Sequence, residues 1–258
     1  MSAAPEQLRA WLAIAEEAAQ RAGEFLTQAR VSEAIVTAEL KRDVKLEVDQ
    51  QSEELILRVL TEKSSFAVLT EERGLIEVRG EYSDLKWIVD PLDGSLNYLR
   101  GIPLCCVSVG LWDRDEPLLG VVYDFGHGEM FTGIVGIGAW RNRVPIHVGD
   151  VSERERAILC TGFPVSTDFS SKSLAGFVEQ VRQYKKVRLL GSAALSLAYV
   201  AAGRVDAYYE RDIKLWDVAG GLAIVRAAGG VVVRAASSTA GAVTVYAGAT
   251  LPPWPEPE

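Results

Sequence analysis

The sequence has few of the residues on which several common enzyme chemistries depend. It contains two histidines, His127 and His147, and no Gly-x-Ser-x-Gly segment, which disfavours hydrolysis by a serine that a histidine activates. Its three cysteines, Cys105, Cys106 and Cys160, form no Cys-x-x-Cys pattern. We therefore expect three reduced, buried thiols rather than a metal site or a redox pair.

Long apolar runs and an excess of positive charge are also missing. No segment reaches the roughly 18 uncharged apolar residues that a membrane-spanning helix needs, and the N-terminal residues carry charges throughout, unlike a secretory signal. The net charge is −8, which disfavours binding to nucleic acid polymers or membrane surfaces, since both usually need a basic face. A cytoplasmic location fits these features.

The composition that remains indicates a well-packed α/β protein. The 258 residues are 48% hydrophobic and 24% charged, which suits one large domain or two fused lobes. We predict an N-terminal α+β lobe over residues 1–150, which carries the main metal-binding motifs described below. A C-terminal α/β lobe over residues 151–250 is predicted to complete the metal and substrate site. The proline-rich segment 251–258 is expected to be a disordered tail.

The predicted elements follow from the spacing of apolar residues and from turn residues. Helices are predicted over residues 5–30 and 49–62, with a turn or short hairpin at 39–47 between them. The remaining predicted elements are strands at 66–69 and 86–89, a strand meander at 104–138, a hairpin turn at 140–145, a strand at 158–160, a helix at 171–183, a strand at 187–190, a helix at 192–202, a strand at 207–210, a helix at 217–228 and a strand at 231–233.

Two of the predicted strands end in acidic residues. Glu71 and Glu72 follow the first, and Asp90 and Asp93 follow the second. If these strands are neighbours in one sheet, at least three carboxylates share a small volume at its carboxyl edge. Clustered carboxylates repel one another unless a proton or a cation joins them, and hard divalent ions prefer such oxygen ligands. The pattern indicates a metal site, with a plain surface turn as the alternative.

The segment DPLDGS at residues 90–95 carries several of these features. Its proline is expected to end the strand, so that the two aspartates point into one hole with the Leu92 carbonyl between them. Gly94 lets the backbone approach a ligand closely, and Ser95 begins a predicted helix whose amides suit phosphate. Further along, Asp217 is predicted to be the N-cap of a helix, and a capping aspartate can also turn its free oxygen to a metal.

These segments resemble the motifs of the inositol monophosphatase family, and the resemblance covers about residues 16–247. The family's Asp-Pro-hydrophobic-Asp-Gly-Thr/Ser motif is similar to WIVDPLDGSLNY, its Trp-Asp motif to LWDVAGG, and its Gly-Glu-Glu element to Thr70-Glu71-Glu72. The resemblance implies a layered αβαβα sandwich of the sugar-phosphatase type. It also implies a Mg²⁺-dependent phosphomonoesterase in which two or three metal ions assist the attack of water, and a homodimer.

The resemblance implies ligands for two metal ions. The first ion would be bound by Glu71, Asp90, Asp93 and the Leu92 carbonyl, and the second by Asp90, Asp93 and Asp217. A third ion is left open, because the loop at residues 41–49 is a few residues shorter than the family pattern.

The resemblance also implies residues that act on water and substrate. Glu72 would orient a metal-bound water, and Ser95, paired with Asp49, would help to activate it. The expected substrate-binding residues are Gly94 and Ser95 for the phosphate, Gly191, Ser192 and Ala193 along the pocket, and Glu210 as an acceptor for polyol hydroxyls.

The substrate is left open among small phosphate esters. Glu210 favours inositol 1-phosphate, with fructose 1,6-bisphosphate or a nucleotide of the 3′-phosphoadenosine 5′-phosphate or NADP type as alternatives. A catalytically idle protein that binds metal or phosphate in an assembly is the non-enzyme alternative. A second phosphate would need a basic partner, and the candidates are Lys185, Arg188, Arg211 and Lys214.

Overall fold

The structure is a computed structural model, and it describes residues 3–29, 36–40, 43–77, 84–151, 153–164, 167–237, 239 and 241–250. Lys41 and the predicted tail at 251–258 lie outside the described residues. The side chains of residues 37–45 are likewise not described.

Within these ranges the chain forms both helices and strands. The helices are α1 (Pro5–Ala29), α2 (Glu47–Lys63), α3 (Ser95–Leu99), α4 (Ser171–Val181), α5 (Ala193–Ala201) and α6 (Leu215–Ala227), with a short 3₁₀ helix at Arg154–Arg156. The strands are β1 (Val36–Leu40), β2 (Asp43–Leu46), β3 (Ala67–Thr70), β4 (Gly74–Ile76), β5 (Leu85–Asp93), β6 (Cys106–Asp113), β7 (Glu116–Asp124), β8 (Glu129–Ile134), β9 (Gly138–Arg141), β10 (Val144–Ile146), β11 (Ile158–Thr161), β12 (Lys186–Arg188), β13 (Ala207–Lys214), β14 (Val231–Ala236) and β15 (Ala242–Gly248). Among the helices of the described residues, none is long and apolar enough to cross a membrane.

The larger sheet has eight strands in the order β10-β9-β8-β7-β6-β5-β3-β4. β3 and β5 pair in parallel, and every other pair of neighbouring strands in this sheet is antiparallel. Every residue from Cys106 to Trp112 in β6 is buried, as expected for a strand with helices on both faces of its sheet. α1 and α2 cover one face, where the rings of Trp11 and Phe66 meet edge to face at 5.1 Å.

The other face of the larger sheet is covered by α5 and α6. Gly110, Gly120 and Gly133 are cross-strand partners in β6, β7 and β8, and we call them the glycine row. A Cβ atom on Gly120 would lie 2.1 Å from the carbonyl oxygen of Gly220 in α6. One on Gly133 would lie 2.9 Å from the Cα of Ile224. The backbone of α6 therefore lies directly on the sheet, which sets the position of the helix N-terminus.

The smaller sheet has the order β12-β11-β13-β15-β14. β11 is parallel to β12 and β13, and β15 is antiparallel to β13 and β14. α5 and α6 pack on one face, and three tyrosines and the C-terminal end of α4 on the other. The layers α1–α2, larger sheet, α5–α6, smaller sheet and α4 confirm the predicted αβαβα sandwich. The two-lobe division at residue 150 stays a prediction, because α5 and α6 pack against both sheets.

Several predicted details are confirmed and others need correction. The three cysteines are buried, unbridged thiols as expected, and the turn between β9 and β10 lies where it was predicted. α2 begins at Glu47, two residues earlier than expected, and β12 ends at Arg188 rather than at Leu190. β4 and β15 were not predicted from the sequence.

Candidate active site

The carboxyl ends of β3 and β5 lie side by side because the two strands are parallel neighbours, with Val68 paired to Trp87 and Thr70 to Val89. Glu71 follows β3 directly, and Asp90 is the next residue of β5 after Val89. The condition on which the predicted carboxylate cluster depended is therefore met.

β5 contains a bulge between Asp90 and Asp93. Asp90 pairs with Ser108 and Asp93 with Cys106, so β5 has one more residue than β6 over this interval. Pro91 lies in the bulge, where the ladder needs no N–H donor. The expectation that this proline ends the strand was therefore wrong. The Leu92 N–H donates to Asp90 Oδ1 at 3.0 Å, which fixes the Asp90 carboxylate at the bulge.

Asp217 reaches the same place from α6. The helix begins at Leu215 with Lys214 as its N-cap, so Asp217 is the third helical residue and not the predicted N-cap. Its Oδ2 accepts from the Lys214 N–H at 3.2 Å, which is the reach-back contact of an acidic residue at this position. Asp217 thus caps the helix and presents its carboxylate to the strand ends.

Glu71, Asp90 and Asp217 form a compact group in which one oxygen of each lies within 4.8 Å of the others. Burial raises the pKa of Asp90 well above its usual value, and the negative charges of Glu71, Asp93 and Asp217 raise it further. Burial likewise raises the pKa of Asp217, with added contributions from Glu71, Asp93 and Glu210. The carboxylates therefore resist ionising together unless a positive charge lies between them.

The donor set of this group fits a hard divalent cation. All of its ligand atoms are carboxylate oxygens, and the Leu92 carbonyl lies in the adjoining bulge. Mg²⁺ prefers such oxygens and is usually held by a few carboxylates together with water and phosphate oxygens. Glu71, Asp90 and Asp217 would hold the ion, whose positive charge would offset the repulsion among their carboxylates.

Asp93 joins the larger sheet to the start of α5. Its Oδ2 accepts from Ser192 Oγ and from the Ala194 N–H, both at 2.7 Å, and from Cys106 Sγ at 3.8 Å. Burial raises the pKa of Asp93 to about 6, while the hydrogen bonds from Ser192 and from the Ala194 and Ala193 amides oppose the rise. Asp93 lies beside the three-carboxylate group and adds to its negative charge, but it is not a member of the group.

The predicted phosphate-binding residues lie next to this group. Gly94 has φ 90° and is the N-cap of α3, and a Cβ atom there would lie 2.8 Å from the Leu104 carbonyl oxygen. Ser95 Oγ donates to the Leu92 carbonyl oxygen at 3.0 Å. α3 has five residues, so its dipole is small and phosphate binding would depend on individual N–H groups.

Asn97 was not predicted as a site residue, but it links α3 to the predicted substrate pocket. Its Nδ2 donates to the carbonyl oxygens of Leu104 and Leu190, both at 2.8 Å. Gly191 has φ 73°, and a Cβ atom there would lie 2.9 Å from Asn97 Nδ2. Gly191, Ser192 and buried Ala193 are thereby held beside Gly94 and Asp93.

Glu210 lies at the edge of the site on the smaller sheet. It is buried, and its Oε2 accepts from the Tyr208 hydroxyl at 2.8 Å. Burial raises its pKa to about 7, the Tyr208 hydrogen bond opposes the rise, and the charge of Asp93 adds to it. A Cβ atom on Gly162 would lie 2.6 Å from the carboxylate, so the glycine leaves space for Glu210.

The predicted water-activating residues lie around α2. Glu72 follows Glu71 in the turn after β3, and its N–H donates to Glu53 Oε2 at 3.1 Å. Asp49 is buried, and its Oδ2 accepts from the Leu46 N–H at 2.8 Å. The pairing of Asp49 with Ser95 stays a prediction. Glu53 was missed, because in the sequence it cannot be told from its exposed neighbour Glu54.

One of the basic candidates for a second phosphate points away from the carboxylates. Arg211 Nε donates to the Tyr209 hydroxyl, and its guanidinium lies 5.9 Å from the Tyr209 ring. That ring packs in the core on the α4 side of the smaller sheet, whereas the Tyr208 ring packs on the opposite side. Arg188 is exposed at the edge strand β12.

Fold and site together define a layered α/β protein with a buried carboxylate centre suited to a hard divalent cation. The profile of the Inositol monophosphatase family matches residues 7–254. The Inositol-1-monophosphatase of Synechocystis is 37% identical over 232 residues, 88% of this chain and 80% of that protein. The protein called Nus factor SuhB in Pasteurella multocida is also 37% identical, over 86% of this chain and 84% of its own length.

Solved structures agree with the sequence comparison. The inositol monophosphatase of Anabaena (Nostoc) superposes with a TM-score of 0.80 at 36% identity, covering 94% of this chain and 92% of that one. Mycobacterium tuberculosis SuhB superposes with a TM-score of 0.78 at 30% identity, covering 93% and 90%. The chain belongs to the inositol monophosphatase family. It is accordingly a metal-dependent phosphomonoesterase.

Proposed function

We propose that the chain hydrolyses the phosphate ester of a small polyol, with inositol 1-phosphate as the preferred substrate and Mg²⁺ as the cofactor. The observation that carries this proposal is the convergence of Glu71, Asp90 and Asp217 within 4.8 Å. Membership of the family supports the reaction class. The buried carboxylate of Glu210 supports a polyol, because a carboxylate can accept hydrogen bonds from hydroxyl groups.

The reaction that we propose is direct hydrolysis. Water attacks phosphorus, the P–O bond to the alcohol breaks, and the alcohol leaves with a proton while inorganic phosphate remains. Bound Mg²⁺ would supply the positive charge that makes the phosphorus electrophilic and the attacking water acidic. Two ions are proposed, bound by Glu71, Asp90, Asp93, Asp217 and the Leu92 carbonyl.

The remaining residues are proposed to orient water and substrate. Glu72 lies in the turn next to the ligand Glu71, which supports a role in orienting the attacking water. Ser95 donates to the Leu92 carbonyl within the DPLDGS segment, and this contact keeps its hydroxyl beside the ligands. We propose that Ser95 and Asp49 accept and pass on the water proton, while Gly94, Ser95 and the residues 191–193 bind the substrate.

The test is phosphate release from inositol 1-phosphate, fructose 1,6-bisphosphate and 3′-phosphoadenosine 5′-phosphate, each with Mg²⁺ and with a chelator. We expect chelator-sensitive turnover that is fastest with the inositol ester. Preference for either of the other two esters would overturn the polyol assignment. Absence of Mg²⁺-dependent turnover with all three would count against the assigned substrates.

The homodimer is a further proposal, and so is the cytoplasmic location. No residue of α4 is buried within the chain, and Phe163, Phe169 and Leu189 are exposed nearby in the sequence. A second copy that covers this surface would bury apolar side chains that the chain itself leaves exposed. Sedimentation of the purified chain should give a dimer, and a monomer at micromolar concentration would contradict the proposal.

A further inference from the structure

One side of α2 carries polar residues that are buried. Ser52 and Glu53 have no exposed surface. Both are polar, and they lie on a helix that packs against the larger sheet. A buried carboxylate or hydroxyl is costly unless other groups hydrogen-bond or neutralise it. The partners of these two side chains therefore show what the polar side of α2 holds in place.

Ser52 contacts the DPLDGS segment. Its Oγ donates to the carbonyl oxygen of Pro91 at 2.9 Å, in the interior of the protein. Pro91 lies in the bulge of β5, directly between Asp90 and Leu92. A carbonyl in a bulge has no ladder partner of its own, so the hydroxyl fixes the backbone that carries the metal ligands.

Glu53 contacts the turn that carries the other ligand. Its Oε2 accepts from the Glu72 N–H at 3.1 Å, and its Oε1 lies 3.2 Å from Arg73 Nε in an ion pair. Arg73 is half exposed and also donates its N–H to Thr70 Oγ1 at 3.1 Å. The turn after β3 is thus held by Glu53, which contacts both Glu72 and Arg73, and by the hydrogen bond from the Arg73 N–H to Thr70.

The two contacts start from adjacent residues of one helix and end on the two strand ends of the metal centre. We propose that Ser52 and Glu53 are positioning residues that hold Glu71 and Asp90 at the separation needed to bind Mg²⁺. The inference rests on the proposed metal site. It assigns to α2 a part in metal affinity that goes beyond packing against the sheet. Groups that orient metal ligands typically contribute about 10- to 100-fold to metal affinity.

The experiment compares Glu53→Gln and Ser52→Ala with the parent chain and with Glu54→Gln. Glu54 follows Glu53 in the same helix, is exposed and pairs with Arg58 at 3.9 Å, so its replacement is a matched control. Mg²⁺ binding is measured by calorimetry and Mn²⁺ binding by electron paramagnetic resonance. The unfolding midpoint of each variant is measured in the presence of chelator. Glu53→Gln keeps an oxygen that can accept from the Glu72 N–H but removes the charge that pairs with Arg73.

We expect Glu53→Gln to weaken Mg²⁺ binding by about tenfold or more, Ser52→Ala to weaken it by a smaller factor, and Glu54→Gln to leave it unchanged. At saturating Mg²⁺, the kcat of each variant should be closer to the parent value than its apparent Mg²⁺ affinity is. If Glu53→Gln does not fold, Arg73→Gln tests the same contact from its exposed end.

Two outcomes would overturn the inference in different ways. Variants that bind Mg²⁺ like the parent but unfold more easily would make Ser52 and Glu53 purely structural. A parent chain that binds neither Mg²⁺ nor Mn²⁺ would instead overturn the proposed metal site itself, and with it any positioning role.

Discussion

The carboxylate centre on the larger sheet and the Glu210 region on the smaller sheet differ in what surrounds their buried carboxylates. In the centre, the pKa values of Asp90 and Asp217 are raised first by burial and then by the neighbouring carboxylates, Glu71 among them. The pKa of Glu210 is also raised first by burial, but Glu210 has a hydroxyl partner, Tyr208, whose hydrogen bond opposes the rise. The first region needs a cation to be fully charged, whereas the second can act as a hydrogen-bond acceptor without one.

The largest expected effect comes from removing one charge of the centre. Asp217→Asn should lower turnover by more than the roughly 100-fold that is typical of groups behind a metal ligand. In chelator the same change should raise the unfolding midpoint, because it removes a buried carboxylate from a repelling group. Turnover and thermal unfolding measure the two effects.

The control for this change is Asp150→Asn, at an exposed aspartate outside the centre. It should leave both quantities near those of the parent chain. An Asp217→Asn variant with parental turnover would break the contrast between the two regions, because the centre would then not depend on its full set of charges.

A middle-sized effect is expected at the glycine row, which lies beneath α6 rather than in the site. The Cβ atom of Gly120→Ala would meet the Gly220 carbonyl oxygen at 2.1 Å, so α6 must shift, at a cost of about 1–3 kcal/mol. Asp217 would move with the helix, and Mg²⁺ binding should weaken while the Glu210 region changes less. Urea unfolding and calorimetry measure the two quantities.

Gly176→Ala is the control, because the Cβ atom would have no neighbour within 4 Å. Gly176 lies within α4, where alanine is favoured over glycine by up to about 1 kcal/mol. The control should therefore be slightly more stable than the parent. Equal Mg²⁺ affinity in Gly120→Ala and the parent would show that the centre tolerates movement of α6.

The smallest effect on turnover is expected at Glu210. Glu210→Gln should leave Mg²⁺ dependence intact and lower the preference for the inositol ester by about tenfold, the range of a hydrogen bond to a charged group. Side-by-side kcat/KM values for inositol 1-phosphate and fructose 1,6-bisphosphate measure it. An unchanged ratio would remove Glu210 from substrate selection.

Glu210 should also affect stability as pH changes in the metal-free chain. Its pKa is raised from 4.5 to about 7 in the folded state, so the folded chain binds this proton more tightly than the unfolded chain does. Its contribution is fully present below about pH 4.5 and is lost as pH rises to about 7, by up to about 3 kcal/mol. In urea unfolding with chelator, Glu210→Gln should make the loss of stability with rising pH shallower. An equally steep loss in the variant would show that Glu210 is not its source.

The parts of the site that depend on neighbouring strands could be predicted from the sequence. Glu71 and Asp90 each follow a short apolar strand, and one parallel pairing was enough to bring them together. The position of Asp217 in its helix could not be fixed, because an aspartate is favourable both as N-cap and as third helical residue. In the structure the helix starts earlier, at Leu215, and Leu215 and Trp216 both pack against the buried core.

Features that depend on distant contacts left no signal in the sequence. Gly110 and Gly120 lie inside strands, and their importance is evident only once α6 lies on them. Glu53 gains its role from the turn after β3, whereas Glu54 beside it faces solvent. β15, which pairs with β13 and β14, was also missed.

The glycine row also has a consequence for the order in which the chain folds. Gly120 and Gly220 are far apart in the sequence, so the contact between α6 and β7 closes a long loop and is expected to form late. The carboxylate centre is complete only after that contact has formed, because Asp217 comes with α6. Interactions that are absent from the transition state alter mainly the unfolding rate. We therefore expect Mg²⁺ to stabilise the chain by slowing its unfolding, with little effect on how fast it folds.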